Sequence, residues 1–195
     1  TLDGAACLKI IQRRYEKVRY LRAKFIQISG ASGVVSPETA SGIVYLRKDG
    51  KLRWDYDKPD PVLIISDGQT LWIFQTADNQ VMVDRHFKKK LKHFPYTFLK
   101  GMETLAKEFT ARVLKYKRND IILELFPKTP LQNISKLLLT FNKNTGIIQK
   151  VSWASPQGAD TAIAFSDIDI TSEIPDSVFR FEPPEGVDVI DAKAP

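Results

Sequence analysis

Few side chains in this sequence have the type and spacing that covalent chemistry needs. His86 and His93 are its only histidines. They lack a neighbouring carboxylate cluster at ligand spacing, so no metal site is expected. Cys7 is the single cysteine, which rules out an intrachain disulfide and reads as apolar packing on a helical stretch. Ser66-Asp67-Gly68 contains a nucleophile by type. A turn accounts for it, and no histidine is placed to activate the serine. Asp167 and Asp169 share a strand face, but glycoside hydrolysis needs an opposing carboxylate and a cleft. Gly30, Gly33 and Gly42 have neither the spacing nor the following helix of a phosphate loop. No enzyme activity and no cofactor is expected.

Charge narrows the partners only in part. Lys and Arg number 29 against 23 Asp and Glu, a formal charge of +6, which favours acidic partners or anionic surfaces. Its densest expression is the run from Arg85 to His93, read either as a solvated helix face or as a docking patch. Binding of single-stranded nucleic acid would need aromatics interleaved with cations on a sheet. Arg53 beside Trp54 fits, but Trp72 sits between Leu71 and Ile73, so no nucleic-acid partner is expected. Nowhere is there a run of the ~18 apolar residues that a membrane-spanning helix requires.

The elements that carry these residues are mostly strands. Residues 3–22 are expected as an amphipathic helix capped by Asp3, with Leu8, Ile11, Tyr15, Val18 and Leu21 on its apolar side. From Phe25 the period changes to two. Residues 42–84 form the centre of the chain, a meander of short apolar–polar alternations broken at Asp49-Gly50, Pro59 to Pro61 and Asp67-Gly68. Asp-Gly between two such runs predicts hairpins with type I′ turns. Residues 88–108 predict one or two short helices interrupted at Pro95. Strand patterns resume at 111–117, 121–126, 134–141, 147–153, 161–170 and 187–190. The total is about ten or eleven strands with two helical segments, in one domain over 1–195. The expected fold class is mainly β (α+β). A single large curved antiparallel sheet would form an incomplete, unclosed β-barrel, with helices covering its concave apolar face.

On the meander, Tyr45, Leu52, Trp54, Tyr56, Ile64, Trp72 and Phe74 are expected on one face. Two readings follow. Either the helical segments cover this face as an ordinary core, or they cover it incompletely and leave an apolar pocket for acyl chains.

Gly42 to Trp54, Pro59, Ser66-Asp67-Gly68-Gln69-Thr70-Leu71-Trp72 and Gln80 resemble the LolA family of periplasmic lipoprotein carriers. Phe25 and Gln27, Pro95-Tyr96 to Leu99, and Phe179-x-Phe181-x-Pro183-Pro184-x-Gly186-Val187 extend the resemblance along nearly the whole chain. It implies an unclosed barrel around helices, and a cavity that shelters the acyl chains of lipoproteins. On that resemblance the lipid-binding residues are Tyr15, Val18, Phe25, Leu52, Trp54, Ile64, Trp72, Tyr96 and Leu99. A family arginine that latches a lid falls on Lys48, with Arg47 and Arg53 as neighbours able to share the task. Helix 3–22 and the insert 88–108 would form that lid. The implied partners are acylated lipoproteins as cargo, an inner-membrane lipoprotein-releasing ABC transporter and an outer-membrane receptor. The carrier would be a periplasmic monomer whose signal peptide has been removed. The alternatives are a LolB-like receptor anchored through its own lipidated cysteine, and a protein-interaction module with an apolar groove.

Overall fold

Asp3 starts the first helix, its carboxylate accepting the Ala6 N–H at 2.8 Å. The computed structural model describes residues 1–31, 36–90, 98–131 and 134–192. Helix α1 spans Gly4–Tyr15 and closes with Arg13 and Arg14 in its last turn, where cations suit the helix dipole. It is shorter than the 3–22 expected. Strand β1 already begins at Tyr20 and runs to Ala31. Val18 and Leu21 satisfy a helical step, but Leu21, Ala23 and Phe25 are buried while Arg22 and Lys24 are exposed, which is a strand's period.

The meander forms as the turn residues dictate. Strands β2 (Glu38–Arg47), β3 (Leu52–Lys58), β4 (Val62–Ser66), β5 (Leu71–Gln75) and β6 (Gln80–Asp84) pair antiparallel in succession. The expected type I′ turns are not what joins them. At the first hairpin the Arg47 N–H donates to the Lys51 carbonyl at 2.9 Å and the Gly50 N–H to the Arg47 carbonyl at 3.0 Å. Gly50 has φ 95° while Asp49 stays at negative φ, so this is a three-residue loop closed by a glycine. At the next Asp-Gly, Asp67 Oδ1 accepts the N–H groups of Gln69 and Thr70, and Ser66 Oγ accepts that of Gly68. Ser66 is buried and its hydroxyl is engaged in the turn, a structural role.

After a short turn at Phe87–Lys90 come α2 (Phe98–Gly101) and α3 (Leu105–Glu108). Strands β7 (Phe109–Tyr116), β8 (Asp120–Pro127), β9 (Lys136–Asn142), β10 (Ile148–Ala154), β11 (Ala159–Asp169) and β12 (Asp188–Asp191) complete the chain. Among the described residues twelve strands form one sheet in the order β12-β6-β5-β4-β3-β2-β1-β11-β10-β9-β8-β7. Its edges β12 and β7 are not neighbours, so the sheet is open, as expected. One pairing departs from the antiparallel expectation: β12 lies parallel to β6, with Val189 opposite Val81. A parallel pair needs a long crossover rather than a hairpin, and the chain from 85 to 187 supplies it.

The chain divides into two compact units. One comprises Thr1–Lys17, Ile26–Thr39 and Gly101–Ser166; the other Val18–Phe25, Ala40–Lys100 and Asp167–Pro195. In the first, α1 buries Cys7, Leu8, Ile11 and Tyr15, and Leu123, Leu125, Leu137, Leu139 and Phe141 are buried on β8 and β9. The start of the helix is seated on β7, where a Cβ at Gly4 would run into the backbone carbonyl of Ala111. Its end is tied down by Tyr15, whose buried hydroxyl accepts the Ile148 N–H at 3.1 Å. In the second unit the core lies on the meander.

Candidate functional site

Side chains directly opposite each other in paired strands point to the same face of a sheet, so the meander's register sorts them without ambiguity. Val44 stands opposite Trp54, Trp54 opposite Ile64, Ile64 opposite Ile73 and Ile73 opposite Met82. This row crosses five strands on one face. Burial falls along it: Val44 and Trp54 are fully buried, Ile64 and Ile73 are half-buried, and Met82 is 44 % exposed. Phe25 closes the buried end, meeting Trp54 edge-on at 5.0 Å and Tyr56 at 4.8 Å between ring centroids. Val62 and Leu71, also half-buried, lie on the same face. The open end of the row is a strip of aliphatic side chains. What such a strip offers a ligand is removal of apolar surface from water.

The opposite face is already covered. Tyr45, Arg53, Ile65, Trp72 and Val83 form one row there, and Leu63, Phe74 and Val81 another. Phe181 packs on Trp72 and Phe74 with centroids 6.0 and 5.9 Å apart. The segment that carries it is held by cations. Arg53 donates to the Val178 carbonyl at 3.2 Å and Arg47 to the Ile174 carbonyl at 3.4 Å, and the Arg47 guanidinium lies over the buried Phe179 ring. Asp176 receives both Arg47 at 2.6 Å and Lys51 at 2.7 Å. These cations hold the Asp176 carboxyl below the usual carboxylate range. Burial pushes Asp49 up, but hydrogen bonds from Arg47 and the Lys51 N–H outweigh it and leave the net shift downward.

The expectation of one aromatic face is therefore corrected. Leu52, Trp54, Tyr56 and Ile64 share a face, while Tyr45, Trp72 and Phe74 point the other way, Trp72 and Phe74 against Phe181. Counting residues within each strand cannot reveal this, because the loops between strands set the register: the β2–β3 loop for Tyr45, the β4–β5 loop for Trp72 and Phe74. Ile73 and Met82 were missed for the same reason, and once the register is known they are the exposed continuation of the Trp54 row.

The remaining sequence-predicted residues are placed as follows. Val18, Leu52 and Leu99 are buried. Tyr15 belongs to the core of the first unit, where burial drives its hydroxyl pKa up despite the hydrogen bond from Ile148. Lys48 is half-buried and donates its backbone N–H to the Arg19 carbonyl at 3.0 Å. Tyr96 lies outside the described residues. Cys7 is buried, and burial followed by the nearby Asp3 charge raises its thiol pKa, which disfavours thiolate chemistry. Within the basic run, Arg85 pairs with Asp191 at 3.0 Å and Phe87 is buried.

Comparison with known proteins bears on this arrangement. The LolA family, outer membrane lipoprotein carrier protein LolA, matches residues 16–182. The outer-membrane lipoprotein carrier protein of Nitrosospira multiformis is 31 % identical over 175 residues, covering 90 % of this chain and 84 % of that protein. That of Nitrosomonas europaea is 30 % identical over 186 residues, covering 95 % and 89 %. Among solved structures, an uncharacterized conserved protein from Thermus thermophilus superposes with a TM-score of 0.56 at 11 % identity, over 95 % of this chain and 97 % of that one. The Mycobacterium tuberculosis lipoprotein LppX does so with 0.53 at 8 % identity, over 88 % and 97 %. At such identities the two structures speak for the fold alone.

Proposed function

The chain belongs to the LolA family of outer membrane lipoprotein carrier proteins, and on that premise we propose that it carries acylated lipoproteins through the periplasm, sheltering their acyl chains on the Trp54 face of the meander. The observation that carries this reading is the row Trp54–Ile64–Ile73–Met82, apolar throughout and open to solvent at one end. Each methylene moved out of water contributes about 0.8 kcal/mol, so a diacyl or triacyl anchor cannot cross an aqueous space unshielded. Aliphatic side chains provide that shelter without directional contacts and therefore accept chains of differing length. No bond is made or broken.

In this account Trp54, Leu52 and Phe25 form the floor at the buried end, and Ile64, Ile73 and Met82 make the entrance. Lys48 takes the family's latch position. The neighbouring Arg47 has a separate task, since its guanidinium is committed to Asp49, Asp176 and the Ile174 carbonyl on the other face. The chain acts as a monomeric carrier domain. It receives cargo from an inner-membrane lipoprotein-releasing ABC transporter and passes it to an outer-membrane receptor, with binding weak enough for release.

The experiment is incubation of the purified protein with spheroplasts. The expected result is the appearance of lipoproteins in the soluble fraction, in complex with the added protein. Lipoproteins that stay membrane-bound whatever its concentration would overturn the reading.

A further inference from the structure

The first unit has an apolar groove that the carrier role does not use. Residues of β1, β9, β10 and β11 enclose about 430 Å³. It lies on the face of these strands opposite the buried Leu137 and Leu139, since Leu138 lines it. The register explains its depth. Leu138 stands opposite Ser152 and Ser152 opposite Ala162, while the next row is Lys136, Ala154, Asp160. Small residues on β10 and β11 leave a trough, with Leu138 and the 47 % exposed Ile28 as apolar sides. Pro37 stands beside Gly30, where a Cβ would lie 3.4 Å from its ring, in ordinary van der Waals contact.

The rim carries one charge of each sign. Lys136 and Asp160 both stand opposite Ala154, one on each side, so their Cα atoms are two strand spacings apart, about 10 Å. Both are exposed, and among the described residues neither is engaged in an ion pair. The volume is at the low end of the ~300–1,000 Å³ of small-ligand pockets, which suits one slender apolar body. A peptide strand cannot add here by backbone pairing, because β10 and β11 are already paired on both sides.

We propose that this groove binds a single-chain zwitterionic phospholipid of the lysophosphatidylethanolamine class. Its phosphate faces Lys136, its ammonium faces Asp160, and its tail lies over Ala154 and Ala162 against Ile28 and Leu138. A purely anionic head group would meet Asp160 unfavourably, and a purely cationic one Lys136. The groove shares no residue with the Trp54 row, so the proposal is independent of the carrier reading.

The test is a titration with myristoyl lysophosphatidylethanolamine below its micelle concentration, followed by the methyl NMR signals of Ala154 and Ala162, with Ile73 and Met82 reporting on the Trp54 row. Saturable shifts of the two alanines are expected, and they should persist in the Ile73→Asp variant, in which the Trp54 row no longer takes acyl chains. Lys136→Asp should weaken binding about tenfold, the scale of one charge-assisted contact, and adding Asp160→Lys should restore it, because the head group can bind reversed. Ala162→Phe should abolish binding by filling the trough. Shifts confined to Ile73 and Met82, equal affinity for lysophosphatidylglycerol, or failure of the double exchange to restore binding would each overturn the proposal. So would alanine shifts that grow with protein concentration in the absence of lipid, which would make a second copy the occupant.

Discussion

Trp54 and Trp72 point to opposite faces of the same meander, because Trp54 stands opposite Ile64 and Trp72 opposite Ile65. One indole ends a row that opens to solvent; the other lies against Phe181 of a segment fastened by arginines. The two faces therefore have different work, and substitutions on them should separate cargo binding from anchoring of the C-terminal segment.

Ile73→Asp places a charge in the open part of the Trp54 row. Ile73 is only half-buried, so the fold should survive with a loss of about 1 kcal/mol by urea titration. Lipoprotein loading should fall about a hundredfold, because a carboxylate facing acyl chains is desolvated without a partner at a cost of about 3 kcal/mol. Loading at the unmodified level would remove Ile73 from the site.

Trp72→Ala should do the reverse. It removes the ring on which Phe181 rests, so hydrogen exchange and proteolysis within 174–181 should accelerate while loading is unchanged. Loss of loading with the segment still protected would contradict the assignment of faces.

The clamp on that segment should be acid-sensitive. Asp176 and Asp49 have carboxyl pKa values lowered in the folded state. Their stabilising contribution is thus complete above the usual carboxylate value of about 4 and is lost as pH falls through the lowered folded values. Exchange protection of 174–181 should decline on acidification below about pH 4, and in Asp176→Asn it should already be reduced at neutral pH. A segment equally protected at neutral pH in that variant would refute the clamp.

Tyr15→Phe tests the anchoring of α1. The variant leaves the Ile148 N–H without its buried acceptor, which should cost about 1–3 kcal/mol in urea denaturation. A neutral effect would show that water or another group replaces the hydroxyl.

Gly42→Ala should be among the most damaging single-methyl additions. A Cβ there meets the Asp55 backbone carbonyl across the β2–β3 pair, and backbone cannot step aside as a side chain does. A stability loss above about 4 kcal/mol, or failure to fold, is expected; a folded variant with an unchanged melting temperature would contradict the close approach.

The meander is legible because its signals are local: Asp-Gly loops, prolines between hairpins, strict alternation in β3 and a short apolar run in β4. The open antiparallel sheet followed from the order of these elements, and the family resemblance followed from the meander's residues. What remained hidden depended on longer-range geometry. The end of α1 was obscured because Val18 and Leu21 satisfy helical and strand periods alike, and only packing decides between them. The face of Trp72 is not legible because register across a loop is set by that loop's hydrogen bonds, here those of Ser66 and Asp67. The contacts of Arg47 with residues 174 and 176 join positions far apart in the chain, which no local pattern announces. The β4–β5 loop also hides the continuation of the Trp54 row through Ile73 and Met82, whose modest size and exposure suit an entrance.

The most direct measurement of the carrier account is photo-crosslinking from position 73, with a benzophenone amino acid in place of Ile73 and a second variant carrying it at position 72. Position 73 should capture an acylated lipoprotein and fail to capture the same protein without its acyl chains, while position 72 should capture neither. Capture that is independent of acylation, or capture from position 72 and not from 73, would contradict it.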